Sequence, residues 1–154
     1  MAKHEDEPGY EFEAGVSAAR EEIVTDRLRE FNNAHSRRTV QWDDPRYAPS
    51  PIHLYVLDRE GAVVGGLIGR THHIPTWLEI TVLWVDEPHR GRGLGRQLME
   101  RAEAEARARG CRYARTATSD FNAPGFYEKL GYRPYGTLED CPPGETVYYY
   151  RKDL

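Results

Sequence analysis

Residues 90–96 read Arg90-Gly91-Arg92-Gly93-Leu94-Gly95-Arg96, three glycines at alternate positions set among three arginines. Glycine adopts left-handed backbone angles without steric cost and lets the main chain approach a bound group closely. A turn of this kind leading into a helix presents several unpaired N–H groups, with the positive end of the helix dipole behind them. The chemistry it favours is capture of a phosphate-like anion by the backbone. Two familiar nucleotide loops do not fit. A P-loop needs Gly-Lys-Ser/Thr at the helix start, where this chain has Gly95-Arg96-Gln97. A dinucleotide fingerprint needs Gly-x-Gly-x-x-Gly, and counting from Gly91 its last position is Arg96.

The elements around the turn must hold it in place. Residues 77–85 predict a strand in which Glu79, Thr81, Leu83 and Val85 share one face by alternation. Residues 94–109 predict a helix with Leu94, Leu98, Ala102 and Ala106 on one stripe and Gly110 as its stop. Its Glu103/Arg107 and Glu105/Arg109 spacings predict solvated i,i+4 pairs rather than a nucleic-acid surface. Residues 113–118 predict a strand parallel to 77–85, since a helical crossover joins the two.

Upstream, residues 1–9 predict a disordered lead-in, and one domain is expected over 10–154. A helix is expected over 17–33, capped by Ser17, with Ile23, Val24, Leu28 and Phe31 on one face. Residues 35–51 predict a long loop suited to a substrate wall. Residues 52–57 and 62–71 predict a hairpin, with Gly65-Gly66 marking a bulge or a close backbone approach. A short helix ending at Gly131 and two final strands, 132–138 and 146–151, complete the chain. The fold class expected is α/β (α+β): a mixed, mainly antiparallel twisted sheet of six to seven strands flanked by helices.

The totals narrow the function. At 154 residues one core suffices, and a net charge of −4 with a pI near 5.9 argues against a nucleic-acid partner. No apolar run reaches the roughly 18 residues of a membrane span, and residues 1–7 are polar. These features predict no membrane partner and a cytoplasmic location. Cys111 and Cys141 make no disulfide framework. His72 and His73 are adjacent on a strand and point to opposite faces, so even with His53 nearby no metal site is expected.

Two motifs together resemble the GNAT superfamily of acetyl-CoA-dependent N-acetyltransferases. Arg90-Gly91-Arg92-Gly93-Leu94-Gly95 is similar to its cofactor signature, Gln/Arg-x-x-Gly-x-Gly/Ala after a strand. Phe126-Tyr127-Glu128-Lys129-Leu130-Gly131-Tyr132 is similar to its downstream short helix. The resemblance covers residues 52–152 well. It implies a splayed parallel strand pair, acetyl-CoA as co-substrate without a metal, and direct transfer to a small-molecule amine.

The resemblance also implies site roles. The backbone of Arg90, Gly91, Arg92, Gly93, Leu94, Gly95 and Arg96 would hold the diphosphate. Leu83 and Val85 would pair with the pantetheine arm through their main chains. Asn122 would bind its amides, or else serve as a helix cap. Tyr127 would be the acid that protonates the leaving thiolate, or else a core aromatic. Glu79 would be the base that takes the amine's proton, or else a solvated strand-end carboxylate. The acceptor would sit near Glu79, Trp77, the 35–51 loop and the 139–143 turn, where Asp43, Asp44, Glu139 and Asp140 would favour a cationic amine. Two other readings stay open: a protein or peptide N-acetyltransferase, and a non-catalytic acyl-CoA-binding module. Tyr148, Tyr149 and Tyr150 fit sheet packing, and a homodimer contact through that strand is a further expectation.

Overall fold

The computed structural model describes residues 12–37, 44–45, 48–72 and 76–154, which fall into two units, Met1–Trp42 and Asp43–Leu154. The expected lead-in and residues 38–43 and 46–47 of the expected loop lie outside the described residues.

In the first unit, helix α1 (Ala18–His35) begins where the Ser17 hydroxyl accepts the Arg20 N–H at 3.4 Å. It runs two residues past Asn33, its expected end. His35 extends it, with Nδ1 placed 2.9 Å from the Phe31 carbonyl oxygen and the two rings stacked at 4.0 Å.

The second unit is a six-stranded sheet: β1 (Ser50–Leu57), β2 (Val63–His72), β3 (Trp77–Val85), β4 (Tyr113–Ser119), β5 (Arg133–Glu139) and β6 (Thr146–Asp153). Their order across the sheet is β1-β2-β3-β4-β6-β5, and only β3/β4 is parallel. Asp58 closes the β1–β2 hairpin by accepting the N–H groups of Glu60 (2.9 Å) and Ala62 (2.8 Å). Helix α2 (Leu94–Ala108) is the crossover between β3 and β4, and Gly110 ends it at φ 88°. Leu98, Met99, Ala102 and Ala106 of α2 are buried with Leu67, Leu78 and Ile80 of the sheet. Each large aliphatic side chain buried this way contributes about 1.5–3 kcal/mol. A short helix, α3 (Pro124–Lys129), adds Tyr127 to the same core.

One expected surface pair is a core network instead. Glu103 is 3% exposed; its Oε2 lies 2.7 Å from Lys152 Nζ, and its Oε1 accepts the Tyr132 hydroxyl at 3.0 Å. Arg107 stands farther off, at 3.5 Å. A buried carboxylate is tolerated here because β6 and the residue just before β5 bring it a cation and a donor. Burial and the neighbouring carboxylate push the Tyr132 hydroxyl far above its ordinary value.

Gly65 and Gly66 are regularly paired, and their role is close approach. A Cβ on either would stand 3.2 Å from the Trp84 carbonyl oxygen or 3.1 Å from that of Leu54. The irregularities of β2 lie on each side of them, opposite Val56/Leu57 and at Ile68/Gly69.

Candidate active site

The glycine turn enters α2 with two residues in the left-handed region, Gly91 at φ 74° and Gly93 at φ 76°. Gly93 is the cap residue, and among the described residues no side-chain cap satisfies the first N–H groups of the helix. The first main-chain bond there runs from Gln97 N–H to the Gly93 carbonyl. The amides ahead of it are therefore available to an anion. Gly95 has a different duty: its Cβ position lies 3.3 Å from Phe126 Cζ, so α3 packs directly on the helix start. The arginines are already engaged within the turn. Arg90 Nε donates to the Val85 carbonyl at 3.0 Å, Arg92 reaches the Pro88 carbonyl at 3.4 Å, and Arg96 lies 3.5 Å from Glu100.

Downstream of the pair Ile80/Thr116, β3 and β4 no longer pair. The gap between them is a groove of about 820 Å³, within the usual range for a ligand site. It is lined by Leu83 and Val85 of β3, by Thr118 and Ser119 of β4, by the glycine turn, and by Asn122 and Tyr127. The sequence-named residues of turn, strand and short helix thus meet in one cleft, Glu79 and Arg92 excepted. The Val85 carbonyl, expected to face the pantetheine arm, already accepts the Arg90 side chain.

Tyr127 is 7% exposed, packed edge-on to Phe126 and stacked on Tyr150 at 5.8 Å. Burial raises its hydroxyl above the ordinary phenol value, and a hydrogen bond with Thr116 opposes the rise. Thr116 in turn donates to the Ile80 carbonyl at 3.1 Å, at the last pair before the strands part. Thr116 was not singled out from sequence. Its only signal was the alternation Thr116/Thr118 on the face of β4 that turns toward α3.

Glu79 departs from expectation, and the cause is a β-bulge. Ile68 pairs with Val82 and Gly69 with Ile80, so Thr81 is an extra residue on β3. An odd insertion reverses the alternation. Leu78 and Ile80 face the core before it, and Leu83 and Val85 pack on the core after it, while Glu79 points to the opposite face. Glu79 therefore shares no face with Leu83 and Val85 and does not line the groove. Its carboxylate receives Arg70 Nε at 2.6 Å and Arg115 Nη2 at 2.8 Å, with His72 Nε2 at 3.2 Å. Burial alone would raise its pKa, but the bonds from Arg70 and His72 and the Arg115 charge outweigh it and hold the carboxyl below its usual value. A carboxylate so engaged is a weak proton acceptor. His73, beside His72 in sequence, lies outside the described residues. No helix of the described residues is long and apolar enough to cross a membrane.

Comparison with known proteins identifies the family. Residues 17–132 match the acetyltransferase (GNAT) family model. The chain is 44% identical over 101 residues to blasticidin-S acetyltransferase of Streptomyces morookaense, covering 65% of this chain and 73% of that one. It is 30% identical over 137 residues to the acetyltransferase Atu2258 of Agrobacterium fabrum (strain C58), covering 89% and 93%. An acetyltransferase crystal structure from Bacillus cereus ATCC 14579 superposes with a TM-score of 0.77 at 30% identity, covering 94% of this chain and 98% of that one. With its glycine turn, parted parallel strands and tyrosine-bearing short helix, the chain belongs to the GNAT acetyltransferase family and is an acyltransferase.

Proposed function

We propose that this enzyme transfers the acetyl group of acetyl-CoA to the amine of a small molecule, by direct attack within a ternary complex. The observation that carries this reading is the groove between β3 and β4, with the uncapped start of α2 at one end and the buried Tyr127 hydroxyl on its wall. The amides of residues 91–96 hold the diphosphate, that of Arg90 being already given to the Glu87 carbonyl at 3.1 Å, and the helix dipole adds about 0.3–1 kcal/mol. The pantetheine arm lies along β3, with Asn122 beside its amides. The neutral amine nitrogen attacks the thioester carbonyl carbon; the C–N bond forms and the C–S bond breaks, the nitrogen gives up one proton to solvent water, and the departing thiolate takes one from the Tyr127 hydroxyl, which solvent then restores. Tyr127 stays protonated over the working pH range, so it meets the departing sulfur as a donor. Glu79 carries no proton in this scheme; it anchors Arg70 and Arg115.

The likeness to an enzyme named for blasticidin S supports a small molecule as acceptor. The test is release of free thiol from acetyl-CoA in the presence of single amines and peptides, with the acetylated product identified by mass. Transfer to small amines supports the proposal. Transfer to peptides alone would overturn the small-molecule part, and thiol release without acetylated product would overturn direct transfer.

A further inference from the structure

On the sheet face opposite α2, directly paired residues form one row across five strands: Arg70, Glu79, Arg115, Arg151 and Arg133. Arg115 stands opposite Arg151, and Arg151 opposite Arg133. Like charges directly opposite one another destabilise a sheet, so three neighbouring arginines need compensation. Two carboxylates supply part of it. Glu79 binds Arg70 and Arg115, while Asp153 binds Arg151 at 2.9 Å and Arg133 at 3.2 Å. Four guanidinium groups thus meet two carboxylates among the described residues. Arg151 is also held over the rings of Trp77 and Tyr113, at 5.2 and 5.4 Å, and its Nε is buried without a hydrogen-bond partner among the described residues.

The position of the row matters. Glu79/Arg115 is the pair immediately before Ile80/Thr116, where β3 and β4 separate. At about 3.3 Å per residue, Arg115 lies roughly 7 Å along the strand from Ala117, the first residue of the gap on its own face. α2, α3 and Tyr127 occupy the other face. An acceptor reaching the thioester from the face that carries this row therefore passes these side chains.

We infer that the acceptor carries a carboxylate and that Arg115 and Arg151 bind it while its amine enters the gap between β3 and β4. This rests on the proposed acetyl transfer to a small amine. It reverses the charge preference expected from Asp43, Asp44, Glu139 and Asp140; of these, Asp140 caps its own turn by accepting the Gly144 N–H at 2.7 Å. Guanidinium groups keep donors in a planar fork that matches a carboxylate, and a net cationic row favours an anion over an ammonium.

The experiment measures acetylation by the full-length enzyme of glycine, β-alanine and longer ω-amino acids, each against its own carboxamide. At least one acid is expected to exceed its amide in kcat/KM by about 10- to 100-fold, as for one charge-assisted contact. Arg151→Gln and Arg115→Gln should raise KM for that acid by a similar factor and leave the amide and acetyl-CoA binding unchanged, with Arg151→Lys recovering part of the loss. Amides acetylated as well as or better than every acid would overturn the carboxylate assignment and leave the transfer reading standing. Failure to acetylate any amine while acetyl-CoA still binds would overturn both. The acid/amide comparison uses the wild-type enzyme, so it decides the matter even if a variant does not fold.

Discussion

Gly69 on β2 passes so close to Glu79 on β3 that a Cβ on the glycine would stand 2.8 Å from the Glu79 carbonyl oxygen. The contact lies at the bulge created by Thr81, whose hydroxyl donates to the Ile68 carbonyl at 3.1 Å. Backbone on one side cannot yield as a flexible side chain would. Gly69→Ala should therefore cost about 1–3 kcal/mol of stability, read as a lowered midpoint in urea. It should also depress transfer, because the bulge borders the opening between β3 and β4. An unchanged midpoint would mean that the bulge is not under this constraint.

Glu79→Gln tests the carboxylate that the bulge turns outward. Its folded-state pKa is lowered, so its stabilisation is full above the unfolded carboxylate value of about 4.3 and is lost as pH falls through the folded value. The variant should be less stable than wild type by about 2 kcal/mol at neutral pH. The gap between their unfolding curves should close on acidification. A gap that widens toward acid pH would contradict the ion-pair account.

Tyr127→Phe keeps the ring packed on Tyr150 and removes the hydroxyl bonded to Thr116. Turnover should fall by about 100-fold, while calorimetry shows acetyl-CoA binding as in wild type. Equal turnover would remove the hydroxyl from the mechanism.

Gly93→Ala addresses the anion cradle. Space is open at this Cβ, with Gln97 Nε2 4.0 Å away, so the penalty comes from the backbone angle of 76°. A left-handed alanine costs about 1–2 kcal/mol. Relief of that strain would move the first amides of α2, so acetyl-CoA affinity should fall by about tenfold, as measured by calorimetry.

The features legible in the sequence are those written locally. Gly91, Gly93 and Gly110 announce left-handed turns through their own backbone requirement, and residues 126–131 carry a short helix with its stop. Alternation also located β3 to the residue. It failed at Glu79, because one extra residue, Thr81, reverses every face before it relative to those after it, and the constraint responsible sits on a different strand. Glu103 shows the same limit: its i,i+4 spacing to Arg107 fits a solvated helix, whereas Lys152 and Tyr132 arrive from elsewhere in the chain to bury it. The arginine row is assembled from five strands, and no stretch of sequence contains it.

A crystal structure of the enzyme with acetyl-CoA tests the central claim most directly. The account predicts the diphosphate on the amides of residues 91–96, the thioester where β3 and β4 part beyond Ile80 and Thr116, and the sulfur within hydrogen-bonding reach of Tyr127 Oη. A diphosphate bound away from that turn, or a sulfur out of reach of Tyr127, would contradict it.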